Sequence, residues 1–131
     1  MSKILFVAFG GAIGSVLRYI ASELDYNFAK LHIMLSTMIV NTSGSLIIGF
    51  LWGLFERVDI SPGMRAFIFI GILGGYTTFS SFSLENLHLL RIGNYKLAAI
   101  NILVTNILSL IFVFLGFVIA KVIISFLKTS V

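Results

Sequence analysis

The chain has 131 residues, of which 59% are hydrophobic and 11% charged, and a mean hydropathy of +1.10. Soluble domains carry about 25% charged residues, so this composition indicates an integral membrane protein. The absence of cysteine rules out disulfides, thiolate metal sites and thiol catalysis. The net charge of +4 is spread along the chain rather than gathered into a basic run, which argues against a nucleic-acid partner.

Crossing a hydrocarbon core of about 30 Å takes roughly 20 mostly apolar helical residues. Four stretches qualify, at about 4–21, 31–55, 66–90 and 97–127, the first being the shortest. The opening "MSKILFVAFGGAIGSVLRYIA" has the lysine and apolar run of a signal peptide. Three more apolar segments follow it, so it reads as a retained span. The connectors "SELDYNFAK", "ERVDISPGMR" (with the single proline) and "RIGNYK" are short. The expectation is therefore one all-α transmembrane domain over 1–131, with four antiparallel helices and both termini on one side. One membrane face then receives Lys3, Arg57, Arg65, Lys121 and Lys128, and the other receives Arg18, Lys30, Arg91 and Lys96. Five against four is almost no positive-inside bias. Either the chain inserts both ways and inverted copies pair, or the short loops simply carry little charge; counting leaves both readings open.

In the first span Gly10 and Gly14 lie four apart, a spacing that lets helices approach closely, as do Gly49 with Gly53 and Gly71 with Gly75. Arg18 closes this span, where it can snorkel to the interface or draw anions to a vestibule. The second span carries "VNTSGS", with Asn41, Thr42, Ser43 and Ser45 deep in an apolar helix. Asn41 needs a hydrogen-bond partner there, either on another helix or along a polar path.

The third span holds "GGYTTFSSFS" at 74–83. Gly74 and Gly75 weaken the helix, and the neighbouring hydroxyls can satisfy freed backbone groups, so a break at the centre of this span is expected. Irregular backbone at membrane depth is tolerated only beside protein or a cavity, and unwound carbonyls can coordinate a small cation such as Na⁺. Phe79 and Phe82 follow, three residues apart. Each is either simply packed or turns its positive ring edge toward an anion. Glu85 is the one acid well inside a span, though near its end, and His32 and His88 read as interfacial. No triad spacing appears, so enzymatic activity is not expected. The fourth span sets Asn101, Thr105 and Ser109 at i, i+4 and i+8, a polar face that must meet protein or water rather than lipid.

The motifs "GGAIGSVLRY" (10–19), "VNTSGS" (40–45) and "GGYTTFSSFS" (74–83) resemble the three signatures of the Fluc/CrcB family of fluoride channels, over essentially the whole chain. The resemblance implies a dual-topology homodimer of inverted subunits in the bacterial inner membrane, with two pores along the interface. It also implies a structural Na⁺ near the centre, held by the Gly74 and Thr77 carbonyls. On this sequence the pore aromatics correspond to Phe79 and Phe82, the pore amide to Asn41, the first-motif arginine to Arg18 and the adjoining hydroxyls to Ser80 and Ser83. Thr105 and Ser109 continue the polar track. Family members often place an aromatic hydroxyl near the position of Asn101. The expected function is passive export of fluoride down its gradient. The rival readings are a dual-topology small multidrug exporter, which needs a membrane-embedded acid that residues 4–17 lack, and a non-transporting accessory subunit.

Overall fold

A computed structural model describes residues 2–26 and 33–129, which leaves Lys30 and His32 outside the described residues. The described residues are helical apart from the turns, with no strand among them. Helix α1 spans Ser2–Tyr26 and α2 spans Ile33–Phe55; α3 covers residues 62–76, α4 spans Phe79–Arg91 and α5 spans Tyr95–Thr129. Four spans are long and apolar enough to cross a membrane: Lys3–Glu23, Leu35–Phe55, Pro62–Arg91 and Tyr95–Leu127. Helix α1, at 25 residues, runs beyond the apolar stretch expected to end at Ala21. The helix continues past Ala21 through "SELDY", because these residues propagate an existing helix although they are too polar to lengthen an apolar run.

The helix ends follow local chemistry. Pro62 occupies the first turn of α3, and the Ser61 hydroxyl accepts from the Met64 amide at 3.2 Å. Between α4 and α5 the chain turns at Gly93, whose φ of 78° suits a residue without a Cβ. Its N–H donates to the Leu90 carbonyl, and the Asn94 N–H reaches back to the Leu89 carbonyl at 2.9 Å. The Asn94 side chain then accepts from the Leu97 amide.

Two helix pairs form by close backbone approach, and the third span joins them. α1 packs on α3, while α2 packs on α5. A Cβ on Gly10 would lie 2.5 Å from the Phe67 carbonyl oxygen and 2.9 Å from the Gly71 Cα, so the first pair depends on bare backbone. In the second pair a Cβ on Gly53 would lie 2.8 Å from that of Ala120. The second half of the third span, α4, packs on α5 and α2 instead of α1. The span therefore changes partners at its middle, which a straight helix could not do as abruptly.

The break lies three residues later than the glycines suggest. Gly74 keeps helical angles (φ −66°, ψ −33°), whereas Thr77 (φ −73°, ψ 156°) and Thr78 (φ −149°, ψ 120°) are extended. Two adjacent β-branched residues tolerate extended backbone better than helix, whereas Gly75 is needed for approach to α1, where an added Cβ would lie 2.8 Å from the Gly11 carbonyl oxygen. Upstream, residues 66–73 are wound as a π-helix, a form that often flanks functional sites.

The interior is unusually polar. Among the described residues its buried apolar side chains are Val40, Leu73, Phe82, Leu89, Ala98 and Ala120, matched in number by Thr37, Thr78, Glu85, Asn86, Asn101 and Thr105. Large apolar side chains such as Ile4, Phe9, Ile70 and Phe114 point outward, as a lipid solvent permits. The polar side chains collect around the break.

Candidate functional site

Asn41 fixes the break. Its Nδ2 donates to the Thr78 carbonyl at 2.9 Å, and its Oδ1 accepts from the Thr78 N–H at 2.8 Å. One amide thus satisfies both backbone groups of a residue that is only 6% exposed, where an unmet partner would be costly. In a continuous helix the Thr78 N–H would have closed onto the Gly74 carbonyl. The last such bond runs from the Thr77 N–H to the Leu73 carbonyl at 3.0 Å. The Thr78 hydroxyl caps α4 by accepting from the Ser81 amide at 3.2 Å. Asn41 stands in an apolar helix because it completes the backbone of another.

A cavity of about 350 Å³ opens beside the break and gathers Asn41, Gly74, Thr77, Phe79, Phe82, Thr105 and Ser109. Ser45 and Asn106, which sequence reasoning did not single out as pathway residues, line it as well. Asn106 follows Thr105 directly, so the polar face of α5 is wider than the four-residue spacing suggests. Among the described residues no ionisable side chain lines this cavity. Phe82 is buried beneath it, while Phe79 is 74% exposed, and the two rings lie 5.5 Å apart, tilted by 45°.

Several of the cavity's hydroxyls have already spent their hydrogens. Thr77 donates to the Leu73 carbonyl, and Thr105 donates to Asn101 Oδ1 at 3.1 Å. The Ser45 and Ser109 hydroxyls form no hydrogen bond with another described residue, and Asn41 retains a second amide hydrogen. These are the donors the cavity can offer.

The remaining expected residues lie elsewhere. Ser83 donates to the Phe79 carbonyl at 2.8 Å, and Ser80 pairs with the Thr78 hydroxyl at 3.2 Å; both are exposed on α4 and outside this cavity. Arg18 lines a second cavity of about 380 Å³ with Ser81, Thr37 and Glu85, and Thr78 borders both cavities. The Arg18 guanidinium donates to the Thr77 carbonyl at 3.4 Å. In the second cavity Thr37 donates to Glu85 at 2.5 Å, so the one acid in the centre of the protein is tied to a hydroxyl. No cluster of three histidine, cysteine or acidic residues is present among the described residues.

The family described as "CrcB-like protein, Camphor Resistance (CrcB)" matches residues 5–117. The chain belongs to the CrcB-like family. Among CrcB-like relatives, a protein of Parabacteroides distasonis is 44% identical over 128 residues, covering 98% of this chain and all of its own length. One from Campylobacter jejuni is 43% identical over 121 residues, covering 92% of this chain and 99% of itself. Another from Shewanella amazonensis is 43% identical over 116 residues, covering 88% and 94% respectively. All three are named "Fluoride-specific ion channel FluC". The names of these CrcB-like proteins denote channels, not enzymes.

Proposed function

We propose that the protein is a fluoride-selective channel that lets the ion leave the cell passively across the bacterial inner membrane. The observation that carries this reading is the uncharged cavity at the break, where two phenylalanines meet hydroxyl and amide donors. Fluoride is small and holds its water tightly, so a selective path must replace that water with donors at close range. Fast passage also requires that no site hold the ion too strongly. Neutral donors such as Ser109, Ser45 and the second amide hydrogen of Asn41 meet both demands. A lysine in the same place would trap the ion. The positive rims of the Phe79 and Phe82 rings supply a further, weak attraction.

The functional unit in this reading is an antiparallel homodimer with two pores, in keeping with the nearly even distribution of positive charge between the two faces. Ser80 and Ser83, which point away from the cavity of their own chain, then join the path along the face shared with the second copy. Arg18 acts from the neighbouring vestibule, where its charge raises the local anion concentration. The Gly74 carbonyl lost its helical partner when the Thr78 N–H turned to Asn41, and the Thr77 carbonyl accepts only a long bond from Arg18. Such neutral oxygens suit Na⁺, and two per chain provide four where inverted copies meet. The ion would tie the two breaks together.

The test is flux from liposomes, read with a fluoride electrode beside a chloride control and without a proton gradient. The wild-type protein is expected to release fluoride and retain chloride. Phe82→Ile should abolish the flux while leaving the dimer intact. Undiminished flux in that variant would remove the ring from the mechanism.

A further inference from the structure

Behind the cavity lies a run of buried amides that the conduction scheme does not use. Asn86 Nδ2 donates to the Phe82 carbonyl at 2.7 Å; Asn101 Nδ2 donates to Asn86 Oδ1 at 3.2 Å; the Thr105 hydroxyl donates to Asn101 Oδ1 at 3.1 Å. Asn86, Asn101 and Thr105 are 5%, 3% and 4% exposed, so water does not compete for these bonds. The direction of the run is set at one end. A backbone carbonyl can only accept, so Asn86 must turn its nitrogen to Phe82 and its oxygen to Asn101. Asn101 must then meet Asn86 with its nitrogen, which leaves its oxygen toward Thr105. Thr105 is left to donate inward.

We propose that Asn86 and Asn101 are positioning residues that hold the hydrogen of Thr105 away from the ion path, so that Thr105 faces the cavity as an acceptor at rest. This rests on the fluoride reading of the cavity. An anion gains the Thr105 hydrogen only by breaking the bond to Asn101, which weakens the site and favours release. The device depends on two amides on adjacent helices, 15 residues apart across the Gly93 turn. Asn86 lies one helical turn beyond Phe82, so the relay is anchored on the backbone of a residue whose side chain lines the cavity.

The experiment measures the fluoride concentration giving half-maximal flux in liposomes for the wild type, Asn86→Leu and Asn101→Ala, and for each substitution in a Thr105→Val background. Asn101→Ala removes the acceptor and frees the Thr105 hydrogen. Asn86→Leu lets the Asn101 amide turn its nitrogen to Thr105, so that Thr105 no longer has to donate inward. In each case the half-maximal concentration should fall, for Asn101→Ala about fivefold, equivalent to ~1 kcal/mol at 1.4 kcal/mol per tenfold. With valine at 105 neither substitution should shift it, although a purely structural effect would persist there. A concentration that stays unchanged in both single variants, or one that shifts equally with and without Thr105, overturns the relay and leaves the channel reading standing. Should one variant fail to assemble, the other decides alone. Wild-type liposomes tight to fluoride would overturn the channel reading and, with it, the role given to the relay.

Discussion

Replacing Asn41 by leucine tests whether the break is held by one amide. Leucine keeps the same branched side-chain skeleton, with bulkier methyl groups, but offers neither a donor to the Thr78 carbonyl nor an acceptor to its N–H, and so removes bonds of 2.9 and 2.8 Å together. Each buried backbone group left unmet costs about 1–3 kcal/mol, or ~2–6 kcal/mol for the two. The half-buried leucine returns about 1 kcal/mol of apolar burial, which leaves a loss of ~1–5 kcal/mol. Unfolding by SDS in mixed micelles, followed by circular dichroism, measures the difference directly. Flux should also fall, because the wall shared by the two cavities loses its fixed geometry. A variant within about 0.5 kcal/mol of the wild type, the range of an ordinary surface substitution, would refute the role assigned to Asn41.

Gly10→Ala should destabilise the protein by about 1–3 kcal/mol in the same assay, because its Cβ would press on the backbone of α3. Gly11→Ala, whose Cβ meets nothing within 4 Å, should be neutral or gain up to ~1 kcal/mol of helix propensity. Removing positive charge from one face with Arg91→Ala and Lys96→Ala should bias insertion to a single orientation and abolish fluoride flux. Because the chain has no cysteine, a single reporter cysteine can read orientation by labelling from outside: about half accessible in the wild type and nearly all or none in the double variant.

The four spans were legible because lipid imposes a length and an apolarity that composition displays directly. The glycine spacings likewise marked faces that do approach other backbones. The exact place of the break was not legible. Glycine signals conformational freedom, but Gly74 and Gly75 stay helical, Gly75 is used for contact with α1, and the extended residues are Thr77 and Thr78. The function of Asn41 was only half visible, since its partner is backbone 37 residues away and no side-chain pattern announces a peptide group. The Asn86–Asn101 bond was equally hidden, because it needs the tight turn at Gly93 to bring two helices into register. In each of these cases the missing information was tertiary. Residue type gave the need for a partner and left the partner's identity open.

The π-wound stretch at 66–73 holds surplus chain immediately before the break. In an α-helix each residue turns the chain by about 100°, so an insertion or deletion elsewhere in α3 would swing the Thr78 amide away from Asn41. Inside the wide-wound stretch the same change can be absorbed by converting a turn from one winding to the other. That stretch works as a vernier, and a change of length should cost less within it than elsewhere in α3, so long as Phe67 and Gly71 keep their close approach to Gly10.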